Sequence, residues 1–374
     1  MSRRVVAVSN RVGPVKSAAV AGGLAVALVE ALRESQGLWF GWSGETVEQG
    51  ESVLHSEQAG ALTLATLDLP REDYERYYNG HSNRCLWPLL HFRMDLMHYE
   101  TSQRDAYLRI NREFARQLLP LLKSDDLVWV HDYHLFPLAA DLRAQGARQR
   151  IGLFLHTPFP PADIFATLPS HVEMLRKLFD YDVIGFQSEP DLRRFLDCVE
   201  RIAGGRGRDG EGRAVAFGRE IVTRAFPIGI DAAQFRKMAL SVEGSTQRDR
   251  MRAALSGRDL IIGVDRLDYS KGLPLRFDAY ARLLAEHKEH RSKVVLMQIA
   301  PTSRGEVRQY RALRRELEQM AGRINGKFAE FDWVPLRYLN RSHSRNVLAG
   351  FYRYAKVGLV TPLRDCMNLV AKTY

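Results

Sequence analysis

The chain repeats one pattern of hydrophobic and polar positions. A short apolar run rich in β-branched residues leads into a polar loop, and apolar residues at helical spacing follow. This alternation predicts βαβ units, in which parallel strands form a sheet covered by helices on both faces. The predicted strands cover residues 5–8, 127–130, 151–155, 183–186, 221–226, 260–264, 294–299 and 357–360. The predicted helices cover residues 23–33, 134–143, 172–179, 190–202, 274–286 and 306–322, with a last helix starting near residue 367.

The pattern stops and restarts across an irregular, charged stretch at residues 227–258. A length of 374 residues suits two domains at the usual size of about 150 residues each. We therefore predict two doubly wound α/β domains, residues 1–230 and 231–374. Residues 73–98 are dense in aromatic side chains and lack a clear period, which fits either a structured insertion over a site or a helical pair covering the sheet. Ser170 and Glu173 have the spacing of a capping box and predict the start of helix 172–179.

Composition narrows the class of protein. Hydrophobic residues make up 45% of the chain and charged residues 26%, which is typical of a globular protein and excludes a disordered one. The longest apolar run, residues 18–29, is too short to span a bilayer, and the start of the chain does not resemble a secretory signal. Cys85, Cys198 and Cys366 are far apart and odd in number, which argues against a disulfide framework. These features predict a cytoplasmic protein without membrane attachment.

The charge balance favours an anionic partner. The formal net charge is +10, which fits phosphorylated metabolites, nucleic acid or an acidic membrane surface. The basic residues do not form a stripe interleaved with stacking aromatic residues, so nucleic acid is not the expected partner.

Polar and charged side chains follow almost every predicted strand. In open α/β sheets, ligands bind beyond the carboxyl ends of the strands. The pattern therefore predicts a ligand cleft between two facing sheets. The residues in question are Asn10, Arg11, His131, Asp132, His134, His156, Gln187, Ser188, Arg266, Asp268, Lys271, Arg304, Arg364 and Asp365.

Taken singly, several of these positions allow more than one interpretation. Gly22 and Gly23 at a helix start fit either a phosphate cradle or close packing of helix on strand. The spacing of His131 and His134 suggests a metal site, but no third ligand follows at helical spacing, and a hydrogen-bonded loop is the alternative. His156, at a strand end beside a Pro-rich loop, fits either a catalytic or a structural histidine.

The loop after residues 260–264 carries a more distinctive signal. Arg266 and Lys271 supply one guanidinium fork and one point charge, a combination suited to a diphosphate. A surface salt bridge with Asp265 or Asp268 is the alternative. Arg304 lies between a strand and a helix start and suits a second phosphate. The chain has neither a Walker A motif nor a GxGxxG fingerprint, which argues against triphosphatase and dinucleotide-binding functions.

Nine segments, in order along the chain, closely resemble the trehalose-6-phosphate synthase family. They are SNRVG, AGGLAVAL, WFGWSGE, WPLLHFR, VWVHDYHL, FLHTPFPP, GVDRLDYSKGLP, IAPTSRGEV and GLVTPLRDCMNLVAK. The resemblance implies a glycosyltransferase with two facing Rossmann-like domains, the GT-B type. It also implies transfer of glucose from UDP-glucose to glucose 6-phosphate with retention, giving trehalose 6-phosphate and UDP, without a metal ion or other cofactor.

The resemblance also implies roles for individual residues. It assigns the acceptor's phosphate to Arg11 and Arg304, and the rest of the acceptor to Tyr78, Trp87 and Asp132. It assigns the donor to Gly22, Gly23, Trp42, His156, Arg266, Lys271, His343, Asp365, Met367, Asn368, Leu369, Val370 and Thr373. Catalytic roles fall to Asp132, His156, Arg266, Lys271 and Asp365.

Three features depart from the family pattern. Cys366 replaces a glycine near the donor diphosphate, where its side chain would crowd main-chain contacts. Thr373 replaces a glutamate that would bind the donor ribose, and losing that carboxylate should cost roughly 1.5–3 kcal/mol, about ten- to a hundredfold in affinity. The chain ends at Tyr374, from which we expect an incomplete second sheet with exposed apolar surface and poor solubility or order.

These departures leave two alternatives to the implied reaction. One is transfer to another phosphorylated acceptor, such as glycerol 3-phosphate. The other is an inactive chain that only binds a sugar phosphate. The oligomeric state stays open, a homo-oligomer included.

Overall fold

The computed structural model describes residues 3–13, 23–48, 52–208, 212–241, 246–305 and 307–374. These residues form two compact units that divide between Ile228 and Gly229. Within the described ranges, each unit holds one sheet flanked by helices. No helix in this part of the chain is long and apolar enough to cross a membrane.

The first unit is built on a ten-stranded mixed sheet. Its strands are β1 (Val5–Arg11), β2 (Leu38–Val47), β3 (Val53–Ala59), β4 (Leu62–Pro70), β5 (Leu127–His131), β6 (Arg150–Leu155), β7 (Val183–Phe186), β8 (Arg206–Arg208), β9 (Arg213–Ala216) and β10 (Arg219–Ala225). They lie in the order β3-β4-β2-β1-β5-β6-β7-β10-β9-β8. The seven central strands run parallel to one another; they are β4, β2, β1, β5, β6, β7 and β10. At one edge β3 pairs antiparallel with β4, and at the other β9 pairs antiparallel with both β10 and β8.

The second unit has a four-stranded parallel sheet. Its strands are β11 (Asp259–Val264), β12 (Val294–Ile299), β13 (Leu336–Leu339) and β14 (Ala355–Gly358), in the order β13-β12-β11-β14. Five consecutive residues of β12 are buried, as expected for a parallel strand that helices cover on both faces.

Fourteen α-helices lie within the described ranges. They are α1 (Gly23–Glu34), α2 (Arg71–Tyr74), α3 (Trp87–Leu90), α4 (Thr101–Leu118), α5 (Leu138–Ala144), α6 (Ala162–Phe165), α7 (His171–Leu178), α8 (Glu189–Ala203), α9 (Ala232–Leu240), α10 (Thr246–Leu255), α11 (Leu273–Glu286), α12 (Arg308–Phe328), α13 (Arg345–Tyr354) and α14 (Leu369–Thr373). Short 3₁₀ turns cover Met94–Leu96, Leu119–Leu121, Tyr133–Leu135, Tyr269–Lys271 and Lys288–His290. A π-helix covers Glu75–Leu86 and leads directly into α3.

Every predicted strand is present, but the pattern missed six others, three of them at a sheet edge. The strands β2, β3, β4, β8, β9 and β13 were not predicted. The expectation of purely parallel sheets is wrong for the first unit, because hairpins extend its edges. The predicted helix 134–143 is also wrong at its start, where a 3₁₀ turn ends before Pro137 caps α5.

The predicted capping box is wrong. Ser170 is the N-cap residue of α7, but its side chain accepts no hydrogen bond from the helix. Glu173 forms an ion pair with Arg104 of α4 and is held away from the N-cap. The next helix, α8, has a side-chain N-cap, because Ser188 Oγ accepts a hydrogen bond from Asp191 N.

Candidate functional site

In the first unit, candidate residues follow three strands that lie side by side, β1, β5 and β6. Asp132 follows β5 with a φ of 72°, a conformation that main-chain pairing to the next strand supports. Its N–H donates to Phe154 O at 2.9 Å, and its Oδ1 accepts from the N–H of His156 at 3.2 Å. The carboxylate and the imidazole are therefore fixed to each other through the main chain.

The His156 ring has polar neighbours on both nitrogens. Nε2 lies 3.1 Å from His131 Nδ1, and Nδ1 lies 3.4 Å from Gln187 Nε2. Burial lowers the pKa of His156 to about 4. Burial, and then the neighbouring His156, lower the pKa of His131 well below its usual value. Both rings are therefore neutral at physiological pH, and His156 acts there as a hydrogen-bonding group and not as a cation.

An aromatic cluster lies at the end of β1 and β2. The Trp42 ring is 4.9 Å from Tyr74 and 5.9 Å from Tyr78, measured between centroids. Tyr78 stacks in turn on His134 at 5.7 Å. The Arg11 guanidinium lies over the Trp42 ring, 5.4 Å from its centroid. Aromatic faces beside an exposed guanidinium can bind a sugar that carries a phosphate.

The position of Arg11 depends on a glycine of β2. Gly44 has a φ of +102°, which an L side chain rarely adopts. A Cβ at this position would lie 2.4 Å from Arg11 Nη2 and 2.7 Å from Cζ. The guanidinium thus occupies the space that a larger residue would need.

The π-helix carries Tyr78 and brings the chain to Trp87. A π-helix is rare and shifts side chains relative to a regular α-helix. Trp87 is buried, with its ring 4.0 Å from His91 and 5.7 Å from Tyr133. On the same π-helix, burial lowers the pKa of His81 to about 3. The segment predicted as either an insertion or a helical pair is thus mainly one π-helix continued by α3.

In the second unit, two candidate arginines share one buried carboxylate. Asp268 has no exposed surface, and its Oδ2 lies 3.3 Å from Arg266 Nη2 and 3.2 Å from Arg304 Nη1. The Tyr310 hydroxyl donates to the same oxygen at 3.1 Å, and the N–H of Ser270 donates to Oδ1 at 3.0 Å. Asp268 therefore orients two cations from the loops after β11 and β12.

Lys271 is held by a second carboxylate. Its ammonium forms an ion pair with Asp365, whose Oδ2 also accepts from Asn368 Nδ2 at 3.4 Å. Gly272 directly follows with a φ of +64°, and a Cβ there would lie 2.5 Å from Thr361 O. The glycine thus allows the Lys271 turn to approach the loop after β14 closely.

The alternative of a salt bridge at Arg266 is confirmed for Asp268 and wrong for Asp265. Asp268, the partner of Arg266, is buried, whereas 46% of the arginine side chain is exposed. Asp265 instead forms a buried ion pair with Arg276 at 2.6 Å, and Arg276 also donates to Gln298 Oε1 at 2.7 Å.

The last described helix carries the remaining donor candidates, Met367, Asn368, Leu369, Val370 and Thr373, at its start or within it. Asn368 caps α14, with Oδ1 accepting from Ala371 N at 3.1 Å. The Thr373 hydroxyl donates to Val370 O at 2.9 Å, so it is turned to its own helix. Cys366, just before this helix, is partly buried.

Two other candidates lie at helix starts. His343 precedes α13, with its ring 5.4 Å from Phe351, and burial lowers its pKa. Gly23 begins α1, and Gly22 lies outside the described residues. The metal interpretation of His131 and His134 finds no support, because the described residues contain no group of three or more potential metal ligands.

Some site residues were missed by the sequence reasoning. Gly44, Tyr74 and Tyr310 are separated in sequence from the groups that they contact. Tyr74 belongs to the aromatic-rich segment, which was the one available signal. Nothing in the local pattern marks Gly44 or Tyr310.

Comparison with known proteins identifies the family of the chain. The profile of Glycosyltransferase family 20 matches residues 5–374. The trehalose-6-phosphate synthase of Sinorhizobium fredii is 49% identical over 99% of this chain and 81% of its own length. That of Escherichia coli K12 is 46% identical over 99% of this chain and 78% of its own length.

Solved structures match the fold as well. The α,α-trehalose-phosphate synthase (UDP-forming) of Burkholderia xenovorans in complex with glucose-6-phosphate superposes with a TM-score of 0.95 at 47% identity. The match covers 99% of this chain and 82% of that one. The Escherichia coli protein bound with UDP-2-fluoro glucose gives 0.92 at 46% identity, covering 99% of this chain and 81% of that one. The expected α/β fold class and family resemblance are confirmed, and the chain belongs to glycosyltransferase family 20.

Proposed function

We propose that this chain transfers glucose from UDP-glucose to glucose 6-phosphate with retention, giving trehalose 6-phosphate and UDP. Relatives that bear the name of this synthase support the reaction. The bound molecules in two similar structures, glucose-6-phosphate and UDP-2-fluoro glucose, match its acceptor and its donor.

The two halves of the chain divide the substrates in this proposal. Residues 1–230 form the acceptor domain, in which Arg11 contacts the acceptor's phosphate and the aromatic cluster with Tyr78 and Trp87 holds the sugar. Residues 231–374 form the nucleotide-sugar domain, and its Arg304 adds a second cation for the acceptor's phosphate. Guanidinium groups suit this task because their fork matches phosphate oxygens.

Asp132 and His156 act on the sugars. The Asp132 carboxylate accepts hydrogen bonds from acceptor hydroxyls while the N–H of His156 holds it in place. His156, neutral at physiological pH, contacts the transferred glucose. A neutral ring adds no positive charge beside a glucose that becomes oxocarbenium-like in the transition state.

Arg266 and Lys271 act on the leaving group. The bond between the glucose anomeric carbon and the diphosphate oxygen breaks, and its electron pair leaves with the diphosphate. The acceptor oxygen bonds to the same face of that carbon, and its proton passes to the departing phosphate oxygen. Cations fixed by Asp268 and Asp365 stabilise the negative charge that develops during this step more than they stabilise the bound donor. Main-chain groups of residues 367–370, with Asp365, hold the donor.

One observation carries the proposal for this chain's own residues. The two cations proposed for the leaving group lie in the loop after β11, and each is oriented by a carboxylate: Arg266 by Asp268, and Lys271 by Asp365. Such preorganised charge stabilises a departing diphosphate.

The test compares Lys271→Ala with Lys288→Ala, a lysine on an exposed turn of the same unit. The purified chain is incubated with UDP-glucose and glucose 6-phosphate, and the products are identified by NMR. We expect trehalose 6-phosphate and UDP, with kcat/KM about ten- to a hundredfold lower in Lys271→Ala, since a charge-assisted bond contributes roughly 1.5–3 kcal/mol. No trehalose 6-phosphate from the unaltered chain, or equal rates in both variants, would overturn the proposal.

A second candidate function rests on Thr373. Its hydroxyl is engaged by Val370 O, whereas the family resemblance places a ribose-binding glutamate here. A chain that binds a sugar phosphate without transferring glucose would show glucose 6-phosphate binding and no UDP-glucose binding by calorimetry. Glycerol 3-phosphate, offered as the acceptor in the same product assay, tests the acceptor class.

A further inference from the structure

A chain of hydrogen bonds leads from the main chain at Ile228 to the ring of His156. The N–H of Ile228 donates to Gln187 Oε1 at 3.1 Å. A main-chain N–H can only donate, so the amide oxygen of Gln187 must face it. The orientation of the Gln187 amide is therefore determined, and its nitrogen faces the other way, 3.4 Å from His156 Nδ1.

This orientation determines which nitrogen of His156 carries the proton. An amide nitrogen donates and does not accept, so His156 Nδ1 must be the acceptor. In a neutral imidazole the other nitrogen then carries the hydrogen. Burial keeps the ring neutral by lowering its pKa to about 4. His156 is thus assigned as the Nε2–H tautomer.

His131 completes the arrangement. Its Nδ1 lies 3.1 Å from His156 Nε2 and must accept that hydrogen, which leaves the His131 proton on its own Nε2. His131 Nε2 is buried, and no described residue forms a hydrogen bond with it. Gln187 and His131 are both almost fully buried, which restrains the two contacts.

We propose that Gln187 is a positioning residue that holds His156 in the Nε2–H tautomer and, together with His131, fixes the orientation of the ring. This role rests on the proposed function, in which His156 contacts the transferred glucose. Gln187 occupies the acceptor nitrogen of the ring, and His131 accepts its one polar hydrogen, so the ring cannot turn without losing both contacts. A ring of mixed tautomers would be held in this orientation in only part of the molecules.

The decisive variant is Gln187→Glu, which keeps the shape of the side chain. A carboxylate can only accept, so one oxygen takes the Ile228 N–H and the other requires a hydrogen on His156 Nδ1. The ring proton therefore moves, and Nε2 becomes an acceptor. Gln58→Glu is the matched control, because it makes the same chemical change at an exposed position of the same unit.

The tautomer is read by NMR of the full chain with ¹⁵N-labelled histidine and without substrates, and a His156→Gln spectrum identifies the signals. We expect Nε2–H in the unaltered chain and in Gln58→Glu, and Nδ1–H in Gln187→Glu. With UDP-glucose and glucose 6-phosphate, kcat/KM for the donor should fall roughly ten- to a hundredfold in Gln187→Glu alone, and the buried carboxylate should also lower the melting temperature of this variant.

Three results would overturn the inference: Nδ1–H in the unaltered chain, an unchanged tautomer in Gln187→Glu, or a changed tautomer with unchanged kinetics. His131→Phe removes the acceptor and keeps Gln187, so its His156 should retain Nε2–H, and a shift to Nδ1–H would also count against the assignment. An absence of glucose transfer by the unaltered chain overturns the proposed function instead, because the tautomer is measured without substrate.

Discussion

Replacing Gly44 by alanine should weaken acceptor binding without replacing any residue proposed to contact the acceptor. The new Cβ would lie 2.4 Å from Arg11 Nη2, 2.7 Å from Cζ and 2.8 Å from Nε. Ordinary van der Waals contact begins near 3.4 Å, so the guanidinium must move by about 1 Å. This movement takes it from its place over the Trp42 ring.

The effects on stability and on binding have different magnitudes. The φ of +102° strains an alanine and should lower the free energy of unfolding by about 1–2 kcal/mol. The clash itself adds little, since the arginine is at the end of a flexible side chain. A 1 Å misplacement can cost about a hundredfold, and a lost charge-assisted bond about 1.5–3 kcal/mol, so KM for glucose 6-phosphate should rise about ten- to a hundredfold.

The assay measures UDP release with varied glucose 6-phosphate and saturating UDP-glucose. Gly60→Ala is the matched control, because Gly60 also has a positive φ, +67°, but nothing lies within 4 Å of its Cβ position. Both variants should lose similar stability in urea unfolding, and only Gly44→Ala should show the raised KM. An unchanged KM in a folded Gly44→Ala protein would refute the view that Arg11 must lie in this position.

Three further predictions concern buried charge. Asp268→Asn removes the carboxylate that two arginines share and should cost about 3 kcal/mol of stability, so an unchanged urea midpoint would contradict the pairing. Arg276→Met leaves Asp265 without its cation, and burial already raises the pKa of this carboxyl. Without the arginine the carboxyl takes up a proton more readily, so the variant should lose more stability at about pH 8 than at about pH 5. Equal losses at both pH values would contradict the ion pair. The three buried histidines described above have lowered pKa values, so the unfolded chain binds protons that the folded chain does not. The free energy of unfolding should therefore fall as the pH falls from about 6.5 towards about 4, by up to about 1.4 kcal/mol per histidine per pH unit. A urea midpoint that does not change over this pH range would contradict the burial of these rings.

Local pattern was sufficient for β7 and β12. The bounds expected for these two strands agree with the structure, because a continuous apolar run flanked by polar residues is typical of a strand covered on both faces. The strand β2 was missed although its first five residues are buried. The strands β3, β8 and β9 escaped notice because they pair in antiparallel hairpins at the two ends of the sheet, and β3 is mostly exposed. The Ser170 capping box failed for a similar reason, since Arg104 of another helix holds Glu173.

The amino-acid sequence by itself determined the α/β class and the family, and it placed polar groups at strand ends, because hydrophobic periodicity and motif order are properties of neighbouring residues. Tertiary structure alone decided which of these groups interact. Only the fold brings Gly44 beneath Arg11, joins Asp268 to Tyr310, and orients Gln187 between Ile228 and His156. These contacts join residues 31 to 42 positions apart in sequence, so no local pattern specifies them.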